Sequence, residues 1–191
     1  LKYVVAYSSV SHMGIVLLGV CTLHPVALNG AILQMFSHGV MTGLFFALVG
    51  MVYGRTHTRT IQDMGGLAAR MPFLATAFLV AGLVSLGLPG FSGFVAELLV
   101  FLGAFQTVPW AAALAVTGIL FTAVYVLRVV QRIFFGPEAA GFRNVTDANP
   151  VERICLGILM LVLLGVGVFP KPLVDIINTT VRPLTALLGG L

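Results

Sequence analysis

Five apolar stretches long enough to cross a lipid bilayer constrain this chain more than any other feature. A transmembrane helix needs about 20 mostly apolar residues. The stretches run from about Tyr3 to Cys21, Gly30 to Tyr53, Met71 to Phe105, Pro109 to Phe135 and Ile154 to Phe169. Only 8% of the residues are charged, whereas soluble domains carry about 25%. We therefore predict an all-α integral membrane protein with about five transmembrane helices and an amphipathic tail over 170–191.

The third stretch is too long for one straight crossing, because a helix over Met71–Phe105 would measure roughly 50 Å at 1.5 Å per residue. Its middle contains Pro89, with Gly87, Gly90 and Gly93 around it. Proline together with glycine breaks a helix. The sequence therefore predicts a discontinuous third helix, broken at Pro89-Gly90, with the three glycines as hinges.

Basic residues collect at one end of the predicted bundle. Five crossings place the loops 54–70 and 136–153 on the same side as the start of the first span. That side carries Lys2, Arg55, Arg59, Arg70, Arg132, Arg143 and Arg153, and the other side carries Lys171 and Arg182. The positive-inside rule then places the basic loops in the cytoplasm or its equivalent. No basic run suited to phosphates accompanies the formal charge of +4, so nucleic-acid binding is not expected.

Glu97 is the most informative polar residue, since it follows the break within an apolar segment and has no basic residue near it in sequence. An ionised carboxylate in a bilayer is costly, and such residues usually face a bundle interior or a water cavity on an ion or proton pathway. Broken helices with their ends near the membrane midplane build such sites in transporters. We predict that Glu97 is a proton site; the alternative is a neutral, hydrogen-bonded core glutamate.

Two histidines extend this hypothesis. His38 lies near the middle of the second span, with Gln34 and Thr42 one turn away on the same face, and histidine changes its charge near neutral pH. His12 lies among serines in the first span. We predict a proton relay for both, against a neutral core histidine for His38 and a helix-packing role for the His12 segment. His24 and His57 are expected to be loop residues.

Other chemistries find little support. Cys21 and Cys155 are far apart and show no metal or redox spacing, so neither a metal site nor a cysteine-bound cluster is expected. Arg128 is explained by snorkelling of its guanidinium to the membrane interface. No nucleotide-binding, zinc-protease or serine-hydrolase motif occurs.

Several strings, in order, resemble a known family. They are 1–14 (LKYVVAYSSVSHMG), 30–39 (GAILQMFSHG), 55–59 (RTHTR), 65–72 (GGLAARMP) and 85–97 (SLGLPGFSGFVAE). Over about residues 1 to 135 they resemble the proton-translocating membrane subunit M of NADH-quinone oxidoreductase, respiratory complex I, which is called chain 4 in mitochondria and also has photosynthetic forms. Family members have about fourteen spans of about 20 residues each, so the whole chain, 1–191, resembles a single bundle from their C-terminal part.

The resemblance implies redox-driven proton translocation along a central polar axis. Glu97 matches the family's glutamate on the broken helix, and His12 and His38 match histidines on the same axis. It also implies that NADH or ferredoxin, FMN, iron-sulfur clusters and quinone act in other subunits, and that this chain holds no cofactor. Expected partners are the lipid bilayer, neighbouring antiporter-like subunits and a lateral helix. The expected location is a bacterial cytoplasmic, mitochondrial inner or thylakoid membrane.

Two other functions stay open from the residues. A cation/proton antiporter subunit shares the fold and the broken helices. A membrane scaffold without transport would place no demand on Glu97.

Overall fold

The computed structural model describes residues 1–138, 140–142 and 145–188, and this part of the chain is helical with no strand. Its seven α-helices are α1 (Lys2–Cys21), α2 (Pro25–Thr56), α3 (Pro72–Ser85), α4 (Ser92–Thr107), α5 (Pro109–Phe134), α6 (Pro150–Val168) and α7 (Lys171–Leu188). Three short 3₁₀ helices, Ile61–Asp63, Leu67–Ala69 and Ala140–Phe142, lie in the two longer connections.

Five membrane crossings account for the first six helices. Within the described residues, α1, α2, α5 and α6 are each long and apolar enough to cross a bilayer. The 14 residues of α3 and the 16 of α4 would each measure only about 21 to 24 Å at 1.5 Å per residue. Together, on either side of a turn, they form one crossing, which confirms the predicted discontinuous third helix.

The break is a regular helix end followed by a second helix start. The Gly87 N–H donates to the Val84 carbonyl and the Leu88 N–H donates to the Leu83 carbonyl, both at 3.1 Å. This is the hydrogen-bond pattern of a Schellman motif, in which a left-handed residue ends the helix. Gly87 has φ +63° and Gly90 has φ +101°, which glycine adopts without steric cost.

Gly93 was predicted to be a hinge residue, but it is a helical residue in the structure. It lies inside α4, and a Cβ built on it would be 2.7 Å from the Val84 carbonyl oxygen. Its lack of a side chain therefore serves the close approach of α4 to the end of α3. Gly167 likewise allows α6 to approach the break closely, because a Cβ there would overlap the Gly90 oxygen and the Phe91 backbone.

Helix α2 is the centre of the bundle and packs against α1, α3, α4, α6 and α7. Small residues permit this close packing: a Cβ on Gly30 would collide with the backbone of α4, and one on Gly103 of α4 would collide with Ala27. Glycine contacts of this kind are typical of helix pairs in membranes. Large apolar side chains on the outer faces stay exposed, including Tyr3 and Trp110 at 78% and 70%.

Polar contacts between loops and helix ends stabilise the basic end of the bundle. Arg55 at the end of α2 donates to Glu152 at 2.6 Å and to the Thr146 carbonyl at 2.8 Å. The Asp147 carboxylate accepts from the first amides of α3, Phe73 at 3.0 Å and Leu74 at 3.2 Å. Arg143, counted above among the basic loop residues, lies outside the described residues.

Candidate proton site

Glu97 is buried on α4, with 6% of its surface exposed. Side chains of a helix tilt toward its N-terminus, and this carboxyl group accordingly reaches back to the break. There it lies against Gly87: a Cβ on that glycine would be 2.7 Å from Glu97 Oε2. The break therefore leaves the space that the carboxyl group occupies.

No cation among the described residues neutralises Glu97. The ion pairs in this part of the chain are Arg55–Glu152, Arg70–Glu138 and Arg153–Asp147, all at the basic end. Ionising a carboxyl group that has little exposure and no ionic partner is costly in the membrane interior.

A cavity of about 270 Å³ connects Glu97 with His12. Its walls come from α1, α4, α5 and the end of α3, and four hydroxyl groups line it: Ser11, Ser85, Thr117 and Thr122. A water molecule in the liquid takes about 30 Å³. The cavity thus has space for several waters and hydroxyl groups to orient them.

His12 is almost fully buried, at 3% exposure. Its Nε2 is 3.3 Å from the Ser85 Oγ, and its Nδ1 has no partner among the described residues. The His38 ring lies edge to face with it, at 5.3 Å between centroids and an interplanar angle of 74°. The structure therefore brings the two predicted histidines, which are 26 residues apart in sequence, into direct contact.

His38 continues the polar line into α2. Its Nε2 is 3.1 Å from the Thr42 Oγ1, as the one-turn spacing predicted, and its Nδ1 is buried without a partner. Gln34 on the same face is buried as well, and its Oε1 has no partner among the described residues. Buried imidazole nitrogens without partners usually mark ordered water or a functional proton position.

The remaining predicted positions take structural roles. His24 is the N-cap of α2 and its Nδ1 accepts from the Val26 amide at 3.3 Å, and His57 ends α2 in the left-handed conformation. Cys21 and Cys155 are exposed free cysteines. No group of three or more His, Cys, Asp or Glu suited to a metal ion occurs in the described ranges.

Sequence reasoning missed several hydroxyl-bearing residues in and around the site. Ser85 bonds His12 across 73 residues of sequence, and Ser37 of α2 bonds Ser92, the first residue of α4, at 2.7 Å. Thr122 faces the cavity from α5. A serine in an apolar helix was the available signal, but serine also serves plain helix packing, so only the fold distinguishes these cases.

Fold and site together define a polytopic helical membrane protein with a buried carboxylic acid at a helix break. The chain belongs to the NADH:quinone oxidoreductase/Mrp antiporter membrane family, whose model matches residues 1–122. It is 40% identical, over 98% of its length, to the NAD(P)H-quinone oxidoreductase chain 4 2 of Synechococcus sp. (strain JA-3-3Ab). The similarity therefore extends beyond residue 135, the limit of the resemblance described in the sequence analysis.

Solved structures agree with this assignment. A chain of the respiratory complex I from Thermus thermophilus with bound NADH superposes with a TM-score of 0.92 and 36% identity, over 98% of this chain and 40% of that one. A chain of the Mrp complex from Dietzia sp. DQ12-45-1b shares the fold, with a TM-score of 0.83 and 23% identity over 96% of this chain and 43% of that one. The chain spans 37% of the length of the Synechococcus relative.

Proposed function

We propose that this chain forms the proton-conducting part of a membrane subunit in a redox-driven NAD(P)H- or ferredoxin-quinone oxidoreductase. The observation that carries the proposal is Glu97, buried beside a helix break in a cavity shared with His12. The similarity to chain 4 of such enzymes supplies the reaction that would drive it.

In this mechanism Glu97 is the proton store. Water in the cavity stabilises its ionised form, and loss of that water favours the protonated form. A change in hydration thus loads or empties the carboxyl group without any covalent chemistry. Hydroxyl groups of Ser85 and Thr122 orient the waters that carry the proton.

The histidine pair extends the path away from Glu97. A proton arriving on His12 Nε2 through Ser85 is matched by release from Nδ1, because an imidazole carries protons on both nitrogens only in its charged form. His38, in edge contact with His12, is the next carrier into α2. Two charged imidazoles 5.3 Å apart repel each other, so the proton occupies one ring at a time.

Replacement of Glu97 by Gln tests the proposal directly. Glutamine keeps the size of the side chain and cannot ionise. In the intact complex we expect a loss of most proton pumping and a parallel fall in coupled quinone reduction, measured in sealed vesicles. Normal pumping and reduction by Glu97→Gln would overturn the proposal, and normal pumping by Glu97→Leu would indicate a scaffold.

A cation/proton antiporter subunit is a second candidate, because the matching family includes Mrp antiporters. An ion-dependence measurement separates the two functions. Transport that requires or moves sodium would favour the antiporter, and transport indifferent to sodium favours the oxidoreductase.

For the finer points of location we propose that the basic end faces the bacterial cytoplasm, the mitochondrial matrix or the stroma. In the described residues this end carries Lys2, Arg55, Arg59, Arg70, Arg128, Arg132 and Arg153, in keeping with the positive-inside rule. The exposed apolar faces of α1 and α5 would be covered by lipid, by neighbouring antiporter-like subunits or by a lateral helix. Cofactors for electron transfer are expected in other subunits.

A further inference from the structure

The start of α4 contacts three other helices through three consecutive residues. Phe91, the N-cap, lies against Gly167 of α6. Gly93 lies against the last turn of α3. Ser92, between them, makes a hydrogen bond to Ser37 of α2. The first turn of the helix that carries the buried acid is therefore held from three sides.

The hydrogen bond between Ser37 and Ser92, here called the serine bond, differs in kind from the other two contacts. Its Oγ atoms are 2.7 Å apart, and the two residues are 2% and 0% exposed. Among the described residues it is the one side-chain hydrogen bond between α2 and α4. A glycine contact limits only how near two helices come, whereas a hydrogen bond also depends on angle. The serine bond therefore resists rotation of α4 about its own axis.

The serine bond also ends a series of close contacts between the antiparallel helices α2 and α4. A Cβ on Gly103 would collide with Ala27, and a Cβ on Gly30 would collide with the carbonyl oxygen of Ala96. Small residues of this kind let the main chains of membrane helices approach closely. The serine bond comes next along both helices, at the end of the series that lies beside the break.

This position connects the two helices that carry the predicted proton groups. Ser37 directly precedes His38. Ser92 precedes Glu97 by five residues, which is about 7.5 Å along a helix axis. Because a side chain ends about 5–6 Å from the axis, a rotation of α4 by about 20° would move the carboxyl group by about 2 Å. In enzymes a misplacement of about 1 Å can already cost a large factor in rate.

We propose that Ser37 and Ser92 are positioning residues of the proton site. Their hydrogen bond fixes the rotation of α4, and with it the place of the Glu97 carboxyl group relative to the contacting rings of His12 and His38. The proposal rests on the proposed function and deepens it by naming the contact that holds the acid in register with the histidines.

Replacement by alanine separates this role from plain packing. Serine also occurs in membrane helices simply as a small residue that allows close approach. Alanine is equally small and keeps that approach, but it has no hydroxyl group. A packing role therefore predicts that Ser37→Ala and Ser92→Ala behave normally, and a positioning role predicts that both are impaired.

The first measurement is the number of protons pumped per quinone reduced, in the intact complex sealed in vesicles. We expect each single variant to lose about half of this ratio or more, with a normal amount of assembled complex. Each single variant leaves one buried hydroxyl group without its partner, whereas the double variant removes both groups. The double variant should therefore be no more impaired than the worse of the two single variants.

The second measurement is the pH profile of chemical labelling at Glu97, which does not require turnover. Dicyclohexylcarbodiimide reacts with protonated carboxyl groups, and the mass of the peptide reports the labelled fraction. The titratable groups on this side are His12 in the shared cavity and His38 behind it, and the variants keep both. We expect the labelling midpoint to move by about half a pH unit or more in each single variant. Reduced folding alone would lower the signal without moving its midpoint.

Ser9→Ala is the matched control. The Ser9 hydroxyl group donates to the Val5 carbonyl within its own helix, at 3.3 Å, so its loss changes no contact between helices. Both the pumping ratio and the labelling midpoint should stay as in the unchanged protein.

A labelling midpoint that stays in place in both single variants would overturn the proposal. So would an equal displacement of the midpoint in Ser9→Ala. Failure of the proposed function is a separate result, since it requires normal pumping by Glu97→Gln, whereas the labelling midpoint reports the surroundings of Glu97 whether or not the chain pumps.

Discussion

At the residue scale, the most important neighbour of Glu97 is Gly87, because glycine has no side chain. Gly87 serves two ends at once: its left-handed backbone terminates α3, and its bare Cα leaves space for the Glu97 carboxyl group. An acid placed here lies against backbone in place of a cation. That environment permits ionisation to depend on how many waters are present.

Gly87→Ala should therefore damage the site without touching any polar group. The left-handed conformation costs a residue with a Cβ about 1–2 kcal/mol, and the added methyl group would displace the Glu97 carboxyl group. We expect lower thermal stability of the complex and a fall in proton pumping larger than the fall in assembly. Pumping and quinone reduction in vesicles measure this effect.

Gly157→Ala is the matched control. A Cβ on Gly157 of α6 meets no atom within 4 Å, and alanine is favoured over glycine inside a helix by about 0.5–1 kcal/mol. Stability should stay equal or rise, with normal pumping. Equal behaviour of the two variants would contradict the role given to Gly87.

At the element scale, the bundle depends on contacts that hold helix ends to one another. Arg55 joins the end of α2 to the start of α6 through Glu152, and Asn149 and Glu152 form a capping box on α6. Arg55 and Glu152 have side-chain exposures of 16% and 22%, so solvent screens this pair less than the Arg70–Glu138 pair at 42% and 46%.

Arg55→Gln should consequently destabilise the protein and Arg70→Gln should not. Loss of the partly buried Arg55 also removes its bonds to backbone carbonyls, with an expected cost of about 2–3 kcal/mol. The exposed Arg70 pair contributes about 0–1 kcal/mol. Thermal unfolding of the purified complex, followed by intrinsic fluorescence, measures both. Equal melting temperatures for the two variants would refute the distinction.

The helices could be predicted from sequence better than the way they face each other. Pro89 with Gly90 predicted the break, and the absence of nearby cations marked Glu97. Two hydrogen bonds, His12–Ser85 and Ser37–Ser92, depend on the rotation of each helix about its own axis. In a soluble bundle the apolar stripe reveals that rotation. In this chain the lipid-facing and core-facing sides of a helix are both apolar, so the sequence shows no such stripe.

At the scale of the whole molecule, the basic residues distinguish one end of the bundle from the other. The end with the basic connections also holds a cavity of about 670 Å³, lined by Lys2, Arg59, Arg128 and Arg132. Sequence predicted the charge asymmetry, because it needs only a count of residues per loop. This cavity could not be predicted, since it depends on gaps between side chains that are far apart in the chain.

The orientation of the molecule can be measured with sided thiol labelling. In a background where the exposed Cys21 and Cys155 are replaced by serine, we expect Gln62→Cys, in the connection after α2, to react with a membrane-impermeant maleimide from the cytoplasmic side. Lys171→Cys, at the start of α7, should react from the opposite side. The reverse pattern would invert the proposed topology.

The contact of Gly167 with the break has a mechanical consequence. Two stretches of main chain lie against each other there without a side chain between them, and main chain does not yield as a rotamer does. A displacement of α6 by a neighbouring protein would therefore also displace the turn between α3 and α4, which shapes the space around Glu97. Movement of a neighbouring protein could in this way change how much water reaches Glu97.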